Sequence, residues 1–150
     1  MADAFHLLAV EIVTPDGHVY EERTQLVVVP GTEGELGIMA RHQPLVSLLA
    51  IGETRVKRAD GEYDRFATGL GYVEVLFDRV RVVVDHAEEA GRIDVERATA
   101  ARARAEERLA LRGDPGARAE VDFFRAEQAL KRATNRIKIA ARRAGAGGTA

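Results

Sequence analysis

Cysteine is absent from this 150-residue chain, which removes a disulfide framework, a thiolate nucleophile and any cysteine-based zinc site. Serine is nearly absent: Ser47 is the only one, and its setting, Pro-Leu-Val-Ser-Leu-Leu, has no nucleophile turn. No glycine-rich loop ends in Lys-Ser or Lys-Thr, so no phosphate-cradling P-loop is expected. No apolar run approaches the ~18 residues of a membrane span. The N-terminus, with Asp3 and no basic-then-apolar stretch, is not expected to be a signal peptide. His6, His18, His42 and His86 are scattered, with no pair at helical ligand spacing, and the carboxylates fall in turns and on polar faces. No metal, no catalytic group and no required cofactor is expected; the chain reads as a non-enzyme.

What is present is globular in character, 46% hydrophobic and 31% charged, at the length of one domain or of a compact domain with an appendage. The charge is unevenly placed. Residues 1–90 carry 16 acids and 8 bases, net −8, whereas residues 91–150 carry 8 acids and 14 bases, net +6. An acidic body with a basic tail calls for an anionic partner: a phosphate ligand, nucleic acid, a lipid headgroup or an acidic protein surface.

The same boundary divides the local patterns. As far as about Ala87, short Val/Leu/Ile/Phe/Tyr runs are broken by turn formers such as Pro15-Asp16-Gly17, Pro30-Gly31, Asp60-Gly61 and Gly69-Leu70-Gly71. Val73, Val75 and Phe77 alternate with polar or outer positions, as do Val80, Val82 and Val84, which predicts a hairpin turning at Asp78-Arg79. Eight to ten such strands in under 90 residues predict a sandwich, since one flat sheet would leave too much apolar surface wet. From Ile93 the chain becomes helical. Gly113-Asp114-Pro115-Gly116 predicts the end of one helix and the start of a second. Ala119, Phe123, Ala126, Leu130, Ala133, Ile137 and Ala140 recur at spacings of 4 and 3, a narrow seam that Ala98, Ala101, Ala105 and Leu109 of the first helix can approach closely. The expected fold is α+β: an all-β sandwich of about ten strands over residues 1–89, then an antiparallel two-helix hairpin over 90–150, frayed from about residue 144.

Two stretches carry specific signals. Residues 30–50 read Pro-Gly-Thr-Glu-Gly-Glu-Leu-Gly-Ile-Met-Ala-Arg-His-Gln-Pro-Leu-Val-Ser-Leu-Leu-Ala, with Glu33 and Glu35 expected at an exposed edge and Leu36 and Ile38 facing inward or toward a partner. The second stretch, Ile93-Asp94-Val95-Glu96-Arg97-Ala98, opens the first helix, where Asp94 can cap and complement the helix dipole. Arg97 and Arg104 share a face seven residues apart, and Arg132 and Arg136 are four apart on the second helix. Like charges at that spacing cost a few tenths of a kcal/mol unless an anion lies between them. A polyphosphate, gripped by guanidinium forks, is one such anion.

The Glu-Gly-Glu-Leu-Gly-Ile segment with its following His and Pro-Leu, then Ile51-Gly52-Glu53, Gly69-Leu70-Gly71-Tyr72-Val73-Glu74-Val75 and the helical tail, resembles the ε subunit of bacterial F-type ATP synthases, in family order over nearly the whole chain. Many relatives have Pro-Gly before the His, where this chain has Ala40-Arg41. The resemblance implies that Glu33, Glu35, Arg41 and His42 form the interface with the γ subunit and the membrane rotor ring (c-ring). It also implies a regulatory ATP site in a folded-down hairpin, at Glu88, Ile93, Asp94, Arg97, Ala98, Arg104, Arg132 and Arg136. In an extended state beside the α and β subunits, Arg125, Lys131, Lys138, Arg142 and Arg143 are expected to meet an acidic segment of a β subunit.

The function so implied is that of a non-catalytic rotor subunit in the central stalk, coupling γ to the c-ring and inhibiting ATP hydrolysis through its helices. It would be peripheral to the cytoplasmic face of the cell inner membrane, with no direct span. The alternative is a nucleic-acid-binding module using the +6 tail, weakened by the lack of interleaved aromatics and by eight interspersed acids.

Overall fold

A computed structural model describes residues 6–145. Two compact units are distinguished, Met1–Glu89 and Ala90–Ala150, and each is described by itself.

Among the described residues the first unit has ten strands: β1 (Leu8–Thr14), β2 (Gly17–Thr24), β3 (Leu26–Gly31), β4 (Gly34–Met39), β5 (His42–Leu49), β6 (Gly52–Lys57), β7 (Tyr63–Thr68), β8 (Gly71–Phe77), β9 (Arg79–Val84) and β10 (Ala87–Glu89). They hydrogen-bond in the order β10-β7-β6-β3-β5-β8-β9-β1-β2, with β4 on β3. All pairings are antiparallel except β1 with β9. The halves meet between β3 and β5 at Gly31 and Leu49, and this narrow join lets the sheet fold over on itself. Alternate side chains from both halves fill one core, among them Leu8, Val10, Ile12, Val27, Val29, Ile38, Leu49, Val56, Phe66, Val73, Val75, Val80 and Val82. This is the expected sandwich, and its strands follow from β-branched residues at every second position.

Between β2 and β7 the Tyr20 hydroxyl donates to Asp64 Oδ2 at 2.7 Å, and its ring meets Phe66 edge-on, centroids 4.8 Å apart. This tie bridges strands near opposite ends of the pairing order. Gly71 is required by close approach, since a Cβ there would lie 1.9 Å from the Val83 carbonyl oxygen, whereas one on Gly69 would meet only the Asp85 and His86 side chains. The Gly-Leu-Gly segment is thus a tight strand connection.

Two local expectations are corrected. The β8–β9 turn is Phe77-Asp78, with Leu76 opposite Arg79, rather than Asp78-Arg79. Phe77 adopts φ 53° and is largely exposed, so it leaves the inward alternation of Val73 and Val75. Asp78 Oδ1 accepts from the backbone N–H of Arg41 at 3.0 Å, which ties this turn to the β4–β5 turn and explains why it sits one residue earlier.

The second unit contains α1 (Val95–Ala110) and α2 (Phe123–Gly145). Asp94 caps α1, its side chain accepting from the Arg97 N–H at 3.0 Å. The second helix does not begin at Pro115. Asp114 accepts from the Gly116 N–H at 2.9 Å and closes a turn, and Asp122 supplies the cap eight residues later, accepting from the Arg125 N–H at 3.0 Å. Ala119 is therefore exposed in a short 3-10 turn instead of starting the seam. Ala98 and Ala105 on α1 and Ala126 and Ala133 on α2 are buried, the small residues expected at a close helix–helix approach. At the connection Arg112 pairs with Glu127 and lies over the Phe123 ring, 5.4 Å from its centroid. α2 continues through Gly145, and the remainder of the expected frayed tail lies outside the described residues.

Candidate functional site

The outer face of β5, β8, β9, β1 and β2 can be read row by row, because residues paired across neighbouring strands point to the same side. One row runs Leu48–Tyr72–Val83–Val13. Leu48 is 67% exposed, as is Val46 on the same face. A row of apolar side chains on the side of the sheet away from the core is the mark of a docking surface, since it gains only when covered. The next row, Val46–Glu74–Arg81–Glu11–Glu21, is largely self-compensated: Arg81 Nε donates to Glu11 at 3.0 Å and His18 lies 2.9 Å from the same carboxylate. Val46, Leu48, Tyr72 and Val83 were not singled out as site residues from the sequence. Their strands are apolar on both faces, so alternation alone does not say which side is the outside.

The four residues implied as a rotor interface fall at opposite ends of β4. Glu33 lies in the β3–β4 turn and Glu35 opposite Pro30 just beyond it, both exposed; Arg41 and His42 lie at the β4–β5 turn. Six strand residues keep the two pairs roughly 20 Å apart. Glu35 is held by a bidentate pair with Arg55, at 2.8 and 3.0 Å, and those bonds raise the guanidinium pKa above its ordinary value. Behind it Glu53, only 7% exposed, accepts from Arg65 at 2.7 Å. Arg41 holds φ 63°, the left-handed conformation that glycine adopts most freely, and its guanidinium meets the His6 ring. Arg41 thus places a cation at the turn. His42 Nδ1 lies 2.7 Å from the Gln43 carbonyl oxygen.

In the second unit, 3.6 residues per turn sorts α2 into three stripes about 120° apart. Ala126, Leu130, Ala133 and Ile137 form the seam. Arg125, Arg132 and Arg136 form the second stripe, Arg125 exposed and the other two half-buried, with the fully buried Ile139 beside them. Lys131, Lys138 and Arg142, all exposed, form the third. The Arg143 side chain lies outside the described residues. On α1, Arg97 and Arg104 share an exposed stripe that Arg108 extends, while Ala98 is buried and Ile93 half-buried. The Asp94 carboxylate is engaged in its cap. Glu88, in the other unit, pairs with Ala67 on β7 and is half-buried. Among the described residues no cluster of three or more His, Cys, Asp or Glu could hold a metal, and no helix is long and apolar enough to cross a membrane.

A β-sandwich with an apolar outer row, followed by a helical hairpin carrying cationic stripes, defines an accessory protein that works by docking. Residues 7–90 match the β-sandwich domain of the ATP synthase delta/epsilon chain and residues 92–141 its long alpha-helix domain, so the chain belongs to the ATP synthase delta/epsilon family and is an accessory, non-catalytic subunit of that complex. It is 47% identical over 130 residues to the ATP synthase epsilon chain of Desulforamulus reducens, covering 87% of this chain and 94% of that one. It is 46% identical over 135 residues to the epsilon chain of Halalkalibacterium halodurans, covering 90% and 98%. Its fold resembles a chain in the Euglena gracilis mitochondrial ATP synthase (OSCP/F1/c-ring), with TM-score 0.70 at 22% identity over 84% of this chain and 76% of that one. The nucleic-acid alternative gains no support from these matches.

Proposed function

We propose that the chain is the central-stalk rotor subunit that couples the γ subunit to the c-ring, peripheral to the cytoplasmic face of the inner membrane, and that its helical hairpin restrains ATP hydrolysis. The observation that carries the docking role is the outward apolar row Leu48–Tyr72–Val83–Val13, to which γ is assigned. The acidic β3–β4 turn with Glu33 and Glu35 is assigned to the c-ring, and Arg41 and His42 to γ at the other end of the strand.

The separation of cations on α2 supports two uses of the hairpin. The exposed Lys131, Lys138 and Arg142, with Arg125 and Arg143, suit an acidic segment of a β subunit, because long-range attraction can draw a mobile arm without fixing it. The half-buried Arg132 and Arg136, with Arg97 and Arg104, suit a regulatory ATP, together with Glu88, Ile93, Asp94 and Ala98. ATP bound in one hairpin state would stabilise that state by mass action.

The test of docking is co-purification of γ with the Leu48→Asp/Tyr72→Asp variant. Retention of γ should fall at least tenfold while the melting temperature stays near that of the parent. Undiminished retention would remove the assignment.

A further inference from the structure

Beyond the apolar and self-compensated rows, the same outer face ends in a row of different character: Leu76–Arg79–Ala9–Arg23, read across β8, β9, β1 and β2. Register places all four side chains on one side, with Arg79 and Arg23 two strand spacings apart, roughly 10 Å, and the small Ala9 between them. Ala9, Arg23, Leu76, Phe77, Asp78 and Arg79 line an open groove of about 360 Å³. Leu76 and Phe77 are exposed, giving the groove an apolar wall.

Its charge is the informative part. In a unit of net −8, Arg55, Arg58, Arg65 and Arg81 are all in ion pairs with carboxylates. Arg23 and Arg79 are in none among the described residues. The one acid in the groove, Asp78, turns its Oδ1 to the Arg41 backbone N–H. Two residues further along the same strands, and on the same face, Arg81 is met by Glu11, whereas the position facing Arg79 is Ala9. Two exposed arginines on strands roughly 10 Å apart, with a small residue between them and an apolar wall beside them, complement a chain segment with two carboxylates flanking an apolar side chain.

We infer that the Arg23–Ala9–Arg79 row is the receiving site for an acidic segment of the protein that docks on this outer face, and that it sets the register of docking. The inference rests on the assignment of γ to that face, with which the row is continuous. The apolar row supplies contact area in any register; the cationic end row distinguishes one register from the rest.

The test uses the full-length chain and purified γ, followed as association kinetics at low and at high salt. Arg23→Glu/Arg79→Glu should slow association about tenfold at low salt, with the difference closing as salt rises, because rim charges act chiefly on encounter. Arg81→Gln, whose charge is already matched within the sheet, should change it less than twofold. Thermal melts establish that each variant folds. If γ binds the reversed variant as it binds the parent, while Leu48→Asp/Tyr72→Asp abolishes binding, the acidic-segment site is overturned and the docking face stands. If γ fails to bind the parent, both are overturned. If the reversal spares γ but releases the chain from phosphatidylglycerol vesicles, the occupant is a lipid headgroup and the inference is wrong.

Discussion

Removing one oxygen, in Tyr20→Phe, isolates the tie that bridges β2 and β7. The ring still packs on Phe66, so the loss is confined to the 2.7 Å bond from the hydroxyl to Asp64. A buried bond to a charged acceptor contributes about 1.5–3 kcal/mol. Here Asp64 keeps 26% of its side chain in water and has Arg58 3.7 Å away, so partial compensation brings the expected loss to about 1–2 kcal/mol. For a chain of this size that is roughly 3–6 °C in Tm. The pH dependence is more diagnostic. Burial first, then the Asp64 bond, push the Tyr20 phenol well above its ordinary value of 10.0. A group whose pKa is raised on folding stabilises fully below its unfolded value and loses that contribution as pH climbs toward the folded one. At pH 11 the unfolded phenol is mostly ionised while the folded one is not, which removes about 1 kcal/mol after allowance for screening of a half-buried pair. Parent and Phe variant, compared by thermal melts, should differ at pH 7–9 and converge as pH approaches 11. Equal melts at pH 7, or a gap that stays constant to pH 11, would refute the reasoning.

Three further outcomes are expected. Gly71→Ala puts a methyl 1.9 Å from the backbone oxygen of Val83, which has nowhere to move, so urea unfolding should show a loss of about 3 kcal/mol or more. Gly113→Ala, with nothing within 4 Å, should be neutral or gain about 0.5 kcal/mol in the same assay. Titration of the protein with ATP should give at least tenfold weaker binding for Arg132→Ala/Arg136→Ala than for the parent, and equal binding would remove the proposed phosphate contacts.

The inward face of the sandwich was legible because Val10, Ile12, Val80 and Val82 obey a period of two and turn formers separate the strands. The helical seam was legible because small residues at Ala98, Ala105, Ala126 and Ala133 leave few ways to pack two helices. Four things were hidden for identifiable reasons. The β8–β9 turn is set by Asp78 reaching a backbone amide 37 residues away, which no local pattern encodes. The start of α2 was misread because Asp114-Pro115 and Asp122 are both plausible openings, and a turn closed by the Asp114 side chain competes with a helix cap. Ile139 lies off the seam and yet is fully buried, so seam arithmetic passes over it. The docking row escaped because it is assembled from four strands distant in sequence, and only the register lines up Leu48, Tyr72, Val83 and Val13.

The division of labour, anchoring by the sandwich and restraint by the helices, is tested most directly by ATP hydrolysis in the assembled synthase carrying the chain truncated after residue 90. The truncated chain should remain bound through its outer face while hydrolysis rises severalfold above that of the complex with the full chain. A complex that retains the truncated chain and hydrolyses ATP at the unchanged rate would contradict a regulatory hairpin, and one that loses the chain would contradict anchoring by the sandwich.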